Sequence, residues 1–217
     1  MIFRNRFHAG EKLAEKLKGF SPRSILVAIP RGGVAIAYSV SIKLGIKMTV
    51  VGVRKLPVPW SPEAGFGAVA EDGTIYINEA LVRRFWIENE EISRIAEDVL
   101  SEVRRRVRIY RGDRLPDFSG KEIIVVDDGF ATGYTAIAAC ELVKRAGAVE
   151  VILSAPCAPE NTVKLLSDYG DDVITLITEK FTPFAVANYY EDFHDMTDDE
   201  VLEILEALKE RGLIYKE

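Results

Sequence analysis

Cysteine and histidine are scarce in this chain, with two of each among 217 residues. Cys140 and Cys157 stand in unrelated contexts and form no Cys-x-x-Cys pair. Neither a disulfide framework nor a Cys/His metal cluster is expected, and reduced thiols suit a cytoplasmic protein. His8 and His194 read as ordinary surface or packing residues. No apolar run approaches ~18 residues, so no membrane-spanning helix is expected. The opening MIFRNRFHAGEKLAEKLKG is too charged for a secretory signal.

An excess of positive charge is also lacking. Lys and Arg total 28 against 34 Asp and Glu, a net charge of −6 with pI ≈ 5.2. Such a surface is not built as a whole for nucleic acid or an anionic membrane. If the chain handles phosphate, it must gather its cations locally. The strongest basic run, RRRVRIYRGDR at 104–114, shares its helix with Glu97 and Glu102. It reads as a solvated face or subunit contact rather than an RNA site.

What the chain has is apolar content, 48% of residues, over a length that fits one α/β domain with an appendage. GEKLAEKLK at 10–18 reads as a short helix closed by Gly19. SILVAI at 24–29 is a strand between Pro22 and Pro30, followed by a helix to Gly45 and a second strand, KMTVVGV, at 47–53. RKLPVPWSPEAGFG at 54–67 has no periodicity and reads as a long loop. AVAEDGTIYIN reads as a hairpin turning at Asp72 and Gly73, and 79–110 as one or two helices. A strand at 122–127 leads to a helix at 134–146 closed by Gly147. EVILSAP (strand), 159–169 (helix) and 172–178 (strand) follow, and Thr197 with Glu200 forms a capping box for the last helix. The alternation predicts an α/β fold on a mainly parallel sheet of about five strands. Ligands of such sheets sit outside the carboxyl ends of the strands, here PRGG, RKLPVPWSP, DDGFATG, PCAP and TEKFTPF.

The stretch IIVVDDGFATGYTA at 123–136 raises the sharpest question, because two acids end a buried strand and need a partner. A strand running into a Gly/Thr turn and a helix makes an anion site, with Gly133 allowing close approach and Thr132 and Thr135 adding hydroxyls. No Gly-Lys-Ser/Thr follows, so this is not the ATP-binding P-loop. Asp127 and Asp128 beside that turn suit a ribose 5-phosphate, with carboxylates on the 2′ and 3′ hydroxyls. The plainer alternative is one Asp capping the turn and the other solvated. Arg31 with Gly32 and Gly33 offers a second anion site, or a tight turn with a solvated arginine. Arg54 and Lys55 are either cations at a site or two solvated charges at a strand end.

The acidic segment resembles the PRPP-binding signature of type I phosphoribosyltransferases: a buried strand, two acids, two mostly apolar positions, then Ala-Thr-Gly-x-Thr. The whole chain is similar to a subgroup of that family with PRGG, VRKL, VVDDGFATGYT, a GAVAEDG hairpin and a YEDF tail. The resemblance covers about residues 24–178. It implies the type I fold, a mainly parallel twisted sheet flanked by helices, with a C-terminal hood and a helical insert. The core is then 1–180, the insert about 79–112 and the hood or tail 181–217, where Phe181, Phe184, Tyr189 or Tyr190 either stacks on a base or packs the last helix.

The family likeness also implies roles. Asp127 and Asp128 bind ribose, and Gly129, Phe130, Ala131, Thr132, Gly133, Tyr134 and Thr135 hold the 5′-phosphate. Arg31, Gly32, Gly33, Arg54 and Lys55 face pyrophosphate, with Arg31, Lys55, Asp127 and Asp128 as the catalytic set and 54–67 as a lid. Gly129 departs from the aliphatic residue usual there, and Ala131 lacks the acid by which some purine-type members act on the base. Read from the loop itself, Glu63 is a candidate base toward the acceptor. The implied activity is transfer of the 5-phosphoribosyl group of PRPP to a nitrogen nucleophile, a nucleobase being expected, with Mg²⁺ held mainly by PRPP. A homo-oligomer, a dimer in many relatives, is expected, and no nucleic-acid partner. The alternative is a non-catalytic PRPP or nucleotide sensor. A sugar-phosphate hydrolase is disfavoured, since no general base or further metal ligand stands nearby in sequence.

Overall fold

The computed structural model describes residues 2–181 and 183–216, apart from the side chains of Pro62 and Glu63. Its centre is a five-stranded, all-parallel sheet in the order β2-β1-β6-β7-β8. The strands are β1 (Ile25–Ala28), β2 (Met48–Val50), β6 (Glu122–Val126), β7 (Glu150–Pro159) and β8 (Asp172–Glu179). Every residue of ILVA in β1 is buried, as is IIVV in β6, because helices cover both faces. α1 (Arg6–Lys16), α2 (Gly32–Leu44) and α7 (Asp198–Glu210) pack on one face around Leu13, Ile36 and Leu208. α5 (Tyr134–Arg145) covers the other around Ile137, Leu142 and Val125.

The chain leaves β1 toward β2 on one side, and leaves β6 toward β7 and β8 on the other. β1 and β6 are neighbours, in register from Ile25↔Ile123 to Ala28↔Val126. The loops after these two strands therefore diverge, leaving a crevice at a topological switch point. β7 runs on to Pro159, past the end of β6, and beyond Ser154 it pairs with β8 alone. Pro156 and Pro159 fall in that one-sided stretch, where a missing N–H is tolerated.

Residues 54–67 form no loop. β3 (Val53–Val58) and β4 (Ser61–Ala70) make an antiparallel ribbon, and β4 pairs on to β5 (Ile75–Ile77). A register shift at Pro57, opposite Gly65, breaks the period-2 pattern that would have marked the strand in the sequence. The expected strand at 47–53 accordingly splits, its last residue opening the ribbon. α3 (Glu79–Phe85) and α4 (Asn89–Tyr110) close over the ribbon with a core of their own, built on Leu56, Phe66, Ile95 and Val103.

The first helix starts at Arg6 rather than Gly10, because the Asn5 side chain caps it by accepting from His8 N–H. Thr197 and Glu200 form the expected capping box at α7. Tyr190, Met196, Val201 and Leu208 belong to the same core as α1 and α2, so this part of the tail is packed into the body.

Candidate functional site

At the carboxyl edge of β6 the chain passes from four buried residues into Asp127 and Asp128. The partner that the acids require is Arg6. Its Nε donates to Asp128 Oδ2 at 2.7 Å, with both side chains largely covered, 8% and 16% exposed. Asp128 N–H donates to Asp127 Oδ1 at 2.8 Å, closing a small turn between the two acids. Burial, reinforced by the neighbouring Asp128 charge, pushes Asp127 well above the usual carboxylate range. Burial raises Asp128 as well, but the charge and hydrogen bond of Arg6 oppose it. The pair is thus asymmetric: Asp128 has a cation on its carboxylate, and Asp127 has none, so burial acts on Asp127 more fully.

The PRGG turn comes close to this pair. A Cβ on Gly32 would overlap Asp128 Oδ2 and lie 2.8 Å from Arg6 Nε. At Gly33 it would lie 2.5 Å from Val126 O. Glycine at both positions lets the backbone of one strand end press against the other. The Pro30–Arg31 peptide is cis.

Past the acids, Phe130 is buried and its N–H donates to Cys157 O at 3.0 Å, tying the turn to the next strand. Thr162 Oγ1 donates to Ala131 O at 2.7 Å from α6 (Glu160–Leu166). Gly133 takes φ +83 and stands as the N-cap of α5, with no side chain capping the helix. Ala131 and Thr132 are exposed and Thr135 is partly so. The first-turn amides of a twelve-residue helix are therefore offered to a ligand, where its dipole favours an anion. Tyr134 turns away, buried, its hydroxyl accepting from Asn78 Nδ2 at 2.8 Å. That bond joins α5 to the ribbon.

The cations gather on the β1–β3 side. Arg31 Nη1 lies 3.7 Å from Asp198 Oδ1, at the start of α7. Arg54 is exposed at the base of the ribbon, and Lys55 beside it is half-buried. Partial desolvation, then the charges of Arg106 and Arg31, lower the Arg54 pKa, while Glu102 opposes them. Arg31, Arg54 and Arg106 thus share one neighbourhood in an acidic protein. Glu63 cannot be assigned here, since its side chain lies outside the described residues.

Arg6 was not legible as a site residue, because its sequence neighbours FRNRF carry no signal and the acid it meets is 122 residues away. Tyr190 is no ring-stacking residue. It is buried, its ring packs on Phe3 and Phe193, and its hydroxyl donates to Asp128 O at 2.6 Å. Phe181 is 79% exposed, whereas Phe184 and Tyr189 pack together and Tyr189 donates to Glu179. A cavity of about 450 Å³ opens elsewhere, on the flank of β2 between α4 and α7, and shares no residue with the strand-end loops.

Residues 4–191 match the family described as phosphoribosyl transferase domain. The chain belongs to that family. A protein of Mycobacterium tuberculosis provisionally named as a phosphoribosyl transferase is 38% identical over 208 residues, covering 94% of this chain and 46% of the relative. The chain thus spans about half the length of the curated relatives it matches. Among solved structures, TT1426 from Thermus thermophilus is 34% identical, with a TM-score of 0.75, covering 94% of this chain and 98% of that one. AQ2163 from Aquifex aeolicus, at 13% identity, TM-score 0.51 and 80% and 74% coverage, shares the fold alone. The five-stranded parallel sheet and its flanking helices are those of the type I phosphoribosyltransferase family.

Proposed function

We propose that this chain transfers the 5-phosphoribosyl group of PRPP to a nitrogen nucleophile, a nucleobase in the first instance, and releases pyrophosphate. One observation carries the reading: a buttressed pair of carboxylates and an uncapped helix N-terminus share a single turn, from Asp127 to Tyr134. A diol acceptor and a phosphate cradle that close together match ribose 5-phosphate.

In this reading Asp127 and Asp128 accept hydrogen bonds from the ribose hydroxyls. The amides and hydroxyls of 129–135 hold the 5′-phosphate. Arg31, Arg54, Lys55 and the backbone of Gly32 and Gly33 face the pyrophosphate. As the C1–O bond breaks, its electron pair leaves with pyrophosphate and the sugar becomes oxocarbenium-like. The acceptor nitrogen closes the new bond from the opposite face and gives up its proton to solvent. The chain's contribution is orientation and charge stabilisation. Ala131 offers no acid–base group to the acceptor. Mg²⁺ would supply charge neutralisation on the diphosphate. In this reading the metal is held mainly by the substrate's own oxygens and water, as suits magnesium.

The test is pyrophosphate release from PRPP and Mg²⁺ across a panel of purine and pyrimidine bases. Base-dependent release supports the transferase and names its acceptor. Absence of release with every base, beside clear calorimetric binding of PRPP, favours a sensor that only binds. Absence of PRPP binding removes both.

A further inference from the structure

The YEDF segment near the C-terminus has no role in the mechanism above, yet it converges on the acid pair. Phe3 N–H donates to Tyr189 O, and Glu191 N–H donates to Phe3 O, so the start of the chain and this segment are stitched together. Both then fasten on one residue. Tyr190 Oη donates to the Asp128 carbonyl at 2.6 Å. Arg6 donates from Nε to the Asp128 carboxylate at 2.7 Å and from Nη1 to His194 O at 2.8 Å. The Arg6 guanidinium lies over Phe193, its carbon 4.0 Å from the ring centroid. Asp128 is thus gripped at backbone and side chain by groups from both ends of the chain.

A covered ion pair of this kind is a poor way to gain stability, since desolvation offsets most of the attraction. An apolar contact would serve packing as well. What Arg6 adds is direction. A guanidinium anchored at a second point by His194 O and by a ring face has little rotational freedom, and it fixes the carboxylate it holds. An acid left alone in that crevice would swing to solvent or take up a proton, and in either state it reads a sugar hydroxyl badly.

We propose that Arg6, backed by Phe193 and Tyr190, is a positioning residue that aims Asp128 at a ribose hydroxyl and so sets the preference for ribose over deoxyribose. This rests on the phosphoribosyl reading above. It gives the tail a second duty, as the buttress of the sugar site.

The test compares binding of ribose 5-phosphate and 2-deoxyribose 5-phosphate by calorimetry. Wild type, Arg6→Met and Arg6→Lys are measured, each first checked for wild-type circular dichroism. The wild type is expected to favour ribose 5-phosphate by about tenfold or more, the scale of one charge-assisted hydrogen bond. Arg6→Met should bring the two affinities together by weakening ribose 5-phosphate alone. Arg6→Lys keeps the charge with one fixed direction fewer, and should restore part of the preference. A purely structural role would weaken both ligands equally. The wild-type ratio surviving in Arg6→Met would overturn the proposal, as would its survival undiminished in Arg6→Lys if the methionine variant does not fold. A wild type that binds both sugars equally also overturns it while leaving the phosphate cradle standing. Failure to bind either sugar phosphate removes the phosphoribosyl reading itself.

Discussion

Gly32 faces Asp128 so closely that a single methyl group on it would overlap the carboxylate oxygen Oδ2, on the same side as Arg6. The two strand-end loops are fitted closely to each other. Gly32→Ala should therefore push the Arg6–Asp128 pair apart, at a cost of about 1–3 kcal/mol in stability. Its effect on PRPP binding should be larger than its effect on the fold. Urea melts and calorimetry on the same preparation separate the two. A variant with wild-type PRPP affinity would show that the close fit has no bearing on the site.

Asp127→Asn is expected to lose most of the transfer activity and none of the fold. The pH dependence of stability supplies the sign. Burial and the Asp128 charge raise the folded-state pKa of Asp127 above its unfolded value. Its favourable contribution is complete below the unfolded pKa, about 3.9, and is lost as pH rises through the folded one. The asparagine variant has no such loss. Its melting temperature should gain on the wild type as pH increases from about 5 to about 8. Parallel melting curves across that range would mean that Asp127 titrates normally.

How much of this was legible beforehand follows from how local each signal is. The acids, the Gly/Thr turn and PRGG are contiguous motifs at strand ends, and the alternation of strand and helix put them on one edge. Thr197 and Glu200 announced their helix by a three-residue rule that tertiary packing did not disturb. The β3–β4 ribbon was hidden because Pro57 and the glycines opposite it erase the alternation on which strands are read. Arg6 was hidden more deeply. A guanidinium and a carboxylate 122 residues apart share no pattern in the chain, and only the folded α1 brings them together.

Glu71 and Arg111 should prove the ribbon's anchor. They pair at 2.5 Å, 9% and 8% exposed, while Glu71 also accepts from Gly52 N–H and Arg111 donates to Val50 O. Together they bind α4 and the ribbon to the end of β2. Glu71→Ala strands a buried guanidinium and should lower stability by about 3–5 kcal/mol in chemical denaturation. The double change to Glu71→Leu and Arg111→Met should recover much of it. Equal losses in the single and double variants would contradict a coupled pair.

Both thiols should be silent in the native protein. Cys140 and Cys157 are buried, and burial pushes each up to about 12. At about pH 8 almost no thiolate is present to react. A thiol reagent should label neither until denaturant is added, and then both together. Labelling of one without the other under native conditions would reveal local opening near Tyr169 or the Asp127 turn.

The short bridge between Met48 and Ile214 also guards against a hazard outside function. Met48 N–H donates to Leu213 O and Tyr215 N–H donates to Met48 O, so the last residues described lie along the free side of β2. Strip them away and the sheet would present an unsatisfied rim of apolar strand to its neighbours. Shortening the chain past residue 212 should therefore show first as self-association in concentrated solution.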